Sequence, residues 1–504
     1  MKEKKIFDAI TEVRDEYIEE ARTAKLKKQS AGWRKWTAIA ACTVMAVSII
    51  AALIQQNFLP FGGRSGSGGA GHGEGSIFMS YAGPVFPLIL SEEDSTITAL
   101  RNISYDFSLK SEDSVRVWGA KVKDSYTLSN SSPEEKKVKV IYPFAGSFNE
   151  LQQLMPVITV NGREIPCTLY AGGYSGGFTG VYGANDPDGS SNLLLLNSWE
   201  GYKALLEDGS YQRDAFKPYP VLSQKVIVYS FSDFKAPEEY EAATQAISFN
   251  IDPDKTTILQ YGFEGSAIGE DGFRQFDYFV PKNEASRKST KMLIVIGDDI
   301  GDYTLQGYKT GACEKGNELD GVSATITRTE RVLSDVLVEL IDDFYEQYDD
   351  KSFLMVPKDM FLGAVSEFLL QYGVLSESVR DRYKYGMLEV IISETRTLQR
   401  VFYLEFEVTI PAGGSISVVA DMYKKPSYDF ACSGSENIGI QGYDMVTRLG
   451  SNLHFNALTA ELTSTENIEI VRQNFGFNLS QGITKVELDL MKEHYYLEIR
   501  PVEK

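Results

Sequence analysis

The stretch Ser125-Tyr-Thr-Leu-Ser-Asn130, Ser131-Ser-Pro-Glu-Glu135, Lys137-Val-Lys-Val-Ile-Tyr-Pro143 carries the reading of the fold. Two runs that alternate apolar and polar residues flank a short polar turn, which predicts an antiparallel hairpin. Pro156-Val-Ile-Thr-Val-Asn-Gly-Arg-Glu-Ile-Pro166 repeats the pattern around Asn161-Gly162, a pair suited to a turn with two positive φ angles. Further strand-like runs are predicted at 225–231, 246–251, 257–263, 275–280 and 292–296, and again at 401–410, 415–423, 451–458 and 485–499. So many short antiparallel strands predict a mainly β protein of β-sandwich-like architecture. Two helical interruptions are expected. Ser198–Asp208 is short and closed by Gly209, and a longer insertion covers about 329–400. In that insertion the apolar stripes Val332, Val336, Leu340, Ile341 and Phe344, then Phe361, Ala364, Phe368 and Leu369, then Tyr383, Met387, Val390 and Ile391, read as faces packed against the sheets.

The chain has 504 residues, 50 basic against 70 acidic side chains, and a formal charge of −20. That length supports two or three domains, and 24% charged and 12% aromatic residues are globular values. The acidic balance argues against nucleic acid as a partner, because phosphate binding needs a basic surface. Four Cys exclude a disulfide-rich scaffold, and three His restrict histidine chemistry and zinc sites.

Charge is unevenly spread. Residues 1–56 hold 10 basic and 7 acidic side chains, so their net charge is +3 and that of the remainder is −23. Trp36 to Ile54 is a run of nineteen residues without a charge, about 28 Å long as a helix, which predicts one transmembrane helix. A cleaved signal peptide fits poorly, because some 35 residues precede the run and no Ala-x-Ala site follows it. Arg22, Lys25, Lys27, Lys28, Arg34 and Lys35 precede it, whereas Arg64 is the only nearby base after it, so the N-terminus is expected in the cytoplasm. The expected organisation is a cytoplasmic stub (1–35), the transmembrane helix (36–54), a Gly/Ser-rich tether (55–76) and two β-rich extracytoplasmic domains (77–290 and 291–504), the second holding the helical insertion.

In the stub, Ile6, Ile10, Val13 and Tyr17 recur at helical spacing. They form a stripe that docks a cytoplasmic partner or lies on the membrane surface. The run Lys5-Ile-Phe-Asp-Ala-Ile-Thr-Glu-Val-Arg-Asp-Glu-Tyr-Ile-Glu-Glu-Ala21, followed by a basic stretch, Trp33 and an Ala-rich span, resembles the start of uncharacterised Clostridia-type single-pass membrane proteins. Some of these are grouped with membrane anti-sigma factors. The resemblance covers about residues 5–54. It implies a cytoplasmic partner such as a sigma factor, released when an outer signal arrives. The stub lacks the His/Cys zinc pattern of one large anti-sigma class.

No motif declares an enzyme. Gly173-Tyr-Ser-Gly-Gly177 fits the nucleophile-elbow pattern, but its glycine-rich flanks predict a loop around Ser175 with no helix after it. Asn185-Asp-Pro-Asp-Gly-Ser-Ser-Asn192 and the turn holding Asp298, Asp299 and Asp302 gather oxygen ligands as calcium loops do, yet read better as Asx turns. Of Cys167, Cys313 and Cys432, at most one pair could form an internal disulfide. Tyr170, Tyr174, Phe178 and Tyr182, spaced by four, suit either strand-edge packing or an adaptable binding surface. No cofactor or metal is expected. The reading is a membrane-anchored surface protein whose outer part binds or senses an extracellular ligand. The alternatives are a structural or adhesive surface protein and, behind it, an anchored hydrolase.

Overall fold

The computed structural model describes residues 81–108, 119–174, 199–219, 222–269, 271–282, 290–347, 356–371, 375, 386–429, 437 and 439–502. The stub, the span at 36–54 and the tether lie outside the described residues. Among the described residues no helix is long and apolar enough to cross a membrane. Of the described residues strands make up 50% and helices 18%, arranged in several antiparallel sheets, so this part is mainly β.

The opening stretch forms both expected strands, Ala120–Asn130 and Lys136–Gly146, but they do not pair with each other. Ala120–Asn130 pairs with Ser415–Lys424 in one sheet, and Lys136–Gly146 pairs with Arg400–Ile410 in another. The reason is a doubled corner. Segments 131–135 and 411–414 turn side by side, joined by Gly413 N–H to Ser132 O at 3.0 Å and by Asn130 N–H to Gly414 O at 2.9 Å. The Asn130 side-chain amide donates to the carbonyls of Glu134, Ile410 and Pro411, tying both turns together. A long two-stranded ribbon is thus bent from one sheet into the next. The Asn161-Gly162 turn behaves as read: both residues have positive φ, and Val160 pairs with Arg163 across it.

Five sheets result. The largest has seven strands in the order Lys485–Glu487, His454–Thr463, Ile97–Asp106, Ala120–Asn130, Ser415–Lys424, Val157–Val160 and Arg163–Glu164. Its Ile97–Asp106 and His454–Thr463 strands run parallel to each other. A four-stranded sheet of Ile89–Leu90, Lys136–Gly146, Arg400–Ile410 and Thr168–Tyr174 holds the other half of the ribbon. A third sheet joins Tyr428–Asp429, Gln441–Val446, His494–Pro501 and Ile468–Gln473. Strands from before residue 290 and after residue 400 therefore share sheets.

Residues 225–332 supply the remaining two sheets. One holds Thr256–Tyr261, Lys291–Gly297, Lys225–Lys235 and Ser323–Val332; the other holds Gly265–Ile268, Phe273–Pro281, Ala242–Asn250 and Tyr303–Tyr308. Side-chain alternation explains the unbroken apolar run Met292-Leu-Ile-Val295. Leu293 and Val295 face the neighbouring sheet with Phe231, Ile247, Phe276 and Tyr278, while Met292 and Ile294 join the larger core on the opposite face. That opposite face is covered by the helices Leu333–Gln347, Lys358–Gln371 and Leu388–Thr397. Val336, Leu340, Ile341, Phe361, Ala364, Phe368, Leu369 and Ile391 are buried there. Val332, read as helical, instead ends the strand Ser323–Val332. Phe361 meets the ribbon sheet through Phe148, at 5.5 Å between ring centroids.

Candidate functional site

The strand Ser415–Lys424 shows its inward phase plainly. Ile416, Val418, Ala420 and Met422 are buried, and the next position in phase is Lys424. An ammonium is therefore carried inside at the end of an apolar stripe, with only 8% of the residue exposed. Lys424 lines a narrow crevice with about 30 Å³ of room for water-sized groups. Its lining includes Val85, Phe86, Phe144, Leu154, Met422 and Tyr423. Tyr423 can lie back because Gly119 has no side chain: a Cβ there would fall on the tyrosine ring.

The polar groups around Lys424 are engaged elsewhere. Glu150 receives Lys425 as an ion pair, Gln399 Nε2 at 3.2 Å and Ser147 Oγ at 3.1 Å. Beyond the crevice Asp444 is fully buried. Its carboxylate accepts from the Tyr81 hydroxyl and lies 3.1 Å from His494 Nε2. The His494 ring stacks on Trp199 at 4.0 Å, which docks the helix Trp199–Asp208. Next to this, Glu498 takes the Tyr428 hydroxyl at 2.9 Å and pairs with Arg472. The Tyr428 ring reaches it by crossing Gly442, where a Cβ would clash. The Lys424 side chain makes no hydrogen bond or ion pair with any described residue. Burial pushes its ammonium down to about 8, although Asp444 and Glu150 pull the other way. The arrangement is a narrow crevice lined by apolar side chains and by Lys424, whose ammonium has no hydrogen-bond or ion-pair partner among the described residues.

Other buried charge is structural. Asp124 accepts two bonds from Arg101 at 2.8 Å and the hydroxyls of Tyr126 and Tyr142 at 2.7 and 3.0 Å, with both charges fully buried. Lys291 donates to Gly262 O at 2.6 Å and lies 3.4 Å from Glu264. Near it, burial followed by the Glu264 charge raises Asp277 to about 6, and burial raises Glu389 to about 7.

Of the residues singled out in the sequence, Ile6, Ile10, Val13 and Tyr17 lie outside the described residues, as do Ser175, Cys432 and the 185–192 loop. Gly173 and the backbone of Tyr174 end a strand, Thr168–Tyr174, where a loop was expected. Asp299 is an internal acceptor, taking Tyr229 at 2.6 Å and Arg328 at 2.8 Å. Among the described residues no group of three or more His, Cys, Asp or Glu side chains could hold a metal ion. Cys167 and Cys313 are free half-buried thiols, raised to about 11 and about 12, in each case chiefly by burial. Tyr170 packs on Phe216 at 4.7 Å. Sequence reasoning missed Lys424, Asp444 and Glu150. The available signal was Lys424 standing in phase with Ile416, Val418, Ala420 and Met422. Compared with known proteins, the chain matches no family model and no curated protein.

Proposed function

We propose that this chain is a single-pass membrane-anchored surface protein whose extracytoplasmic, sandwich-like β region binds a ligand in the Lys424 crevice. Its stub passes the bound state to a cytoplasmic protein, in the manner of the anti-sigma anchors that residues 5–54 resemble. The observation that carries the binding part is the Lys424 side chain lining a narrow crevice without a hydrogen-bond or ion-pair partner among the described residues. A structural role gives such a charge no compensation, because burying an unpaired ion opposes folding. Support for the anchor comes from the uncharged 36–54 run with its one-sided basic flank. The signalling part is tested by replacing Ile10, Val13 and Tyr17 together with Ala in the native cell. The expected result is altered transcription of one regulon and loss of a co-purifying cytoplasmic protein. A silent transcriptome with unchanged co-purification overturns signalling.

A further inference from the structure

We propose that the strand Ser323–Val332 is the docking edge for a second copy of this chain, paired antiparallel about a two-fold axis at Thr329. The proposal is independent of the crevice. This strand ends its sheet, beyond Lys225–Lys235. It has ten residues, and among the described residues every other strand that ends a sheet has seven or fewer. Open edges are usually kept short or covered, because their unpaired N–H and C=O groups recruit other strands. Tyr303–Tyr308, an edge of the facing sheet, is covered in part: Leu319 N–H donates to Gly307 O at 2.8 Å and Lys309 N–H to Asn317 O at 2.9 Å. No described residue closes the outer side of Ser323–Val332 in this way. Thr327, Arg328, Thr329 and Glu330 are exposed in unbroken succession, so both faces of the strand are wet there.

The register follows from the hydrogen bonds already made. Leu333 N–H donates to Gln224 O at 3.0 Å, Val332 lies opposite Lys225, and the pairing is regular back to Thr325. The odd-numbered residues of this stretch therefore turn their backbone groups to Lys225–Lys235, and Ile326, Arg328, Glu330 and Val332 turn theirs outward. About an axis at Thr329, Arg328 of each copy faces Glu330 of the other, and Ile326 faces Val332. All four are outward-turned residues, so the backbone ladder closes where the side chains match. An axis at Arg328 or at Glu330 would set like charge opposite like. One at Thr327 would set Arg328 opposite Ile326 and Glu330 opposite Ala324. Within its own chain Arg328 holds Asp299 through Nε at 2.8 Å and reaches Glu330 through Nη2 only at 3.7 Å. That exposed contact contributes little, so Nη2 is available to Glu330 of the second copy.

The test uses the full-length chain in detergent, with its mass read by sedimentation. The unaltered chain should sediment as a dimer that dissociates on dilution. In a background from which the four native cysteines are replaced, Thr329→Cys should form an inter-chain disulfide on mild oxidation. Facing residues of a non-hydrogen-bonded pair lie about 4.5 Å apart at Cα, within disulfide reach. Thr327→Cys should not cross-link, since its two copies would stand about 13 Å apart. Arg328→Glu and Glu330→Arg each set like charges opposite one another twice and should weaken the dimer at least about tenfold. Mixed in equal amounts, these two variants should pair with each other, which also shows that both are folded. A single-chain mass for the unaltered protein overturns the proposal. So does a dimer that both charge variants leave intact, a mixture of the two that stays monomeric, or cross-linking through Thr327→Cys as ready as through Thr329→Cys.

Discussion

Lys424 shows what one side chain in the wrong phase does to a fold. Its amine releases its proton near 8 when folded, against an ordinary 10.5. Between those values the unfolded chain binds more protons, so stability rises with pH across that window. At neutral pH the buried ammonium opposes folding by roughly 3 kcal/mol. Lys424→Met should therefore raise the urea midpoint at pH 7, with the gap from the unaltered protein closing as pH rises from 8 to 10.5. Parallel pH profiles for the two proteins would show that the charge is not buried as described. Arg101 and Asp124 make the opposite case, since they pair with each other, Asp124 also accepts from two tyrosine hydroxyls, and Arg101 also donates to the carbonyls of Phe86 and Val446. Asp124→Ala leaves a guanidinium buried without its anion and should cost about 3–5 kcal/mol in denaturant unfolding. The double replacement Arg101→Leu with Asp124→Leu should recover part of that loss. A single variant as stable as the parent would contradict the assignment.

At the level of elements, alternation made most strands legible, because a period of two reports which face is wet. The strands at Lys225–Lys235, Phe273–Pro281, Arg400–Ile410 and Ser415–Lys424 were readable in this way, whereas Lys291–Gly297 showed itself as a short unbroken apolar run. Pairing was not. The five residues after Asn130 can close a hairpin or turn a corner, and what decides between them is a second corner, 411–414, far along the chain. Nor can local sequence announce that Ile97–Asp106 lies parallel to His454–Thr463. The site was hidden for the same reason. Lys424, Glu150 and Asp444 come from separate elements, and each alone reads as an ordinary surface charge. The helix Trp199–Asp208 offers an element-scale test. It is held by the Trp199 stack on His494 and by the Lys203–Glu493 pair at 2.7 Å. Trp199→Ala should speed limited proteolysis within 199–219 by about tenfold, as local opening becomes easier. Lys203→Met should do much less, because exposed ion pairs contribute little. Equal effects from the two variants would show that the ring stack is not the anchor.

For the whole molecule, the bent ribbon ties the seven-stranded sheet to the four-stranded sheet beside it, and the three helices fill the space towards the sheets of residues 225–332. All of these elements draw their burial from one another. Residues 77–504 are therefore predicted to fold without the N-terminal segment, kept soluble by a strongly negative charge. Circular dichroism of that fragment should show dominant strand signal with a helical minority, and an aggregated or mainly helical product would contradict the architecture.

The central claim is that this β-rich body stands outside the cell on a single N-terminal anchor. It is tested most directly by impermeant thiol labelling of intact cells, using single cysteines in a background from which the four native cysteines have been replaced. Cysteines at exposed Ser131 and Asp421 should be labelled, whereas cysteines at Glu20 and Lys28 should react only after the membrane is opened. Labelling of the 20 and 28 positions in intact cells, or protection of 131 and 421, would contradict it.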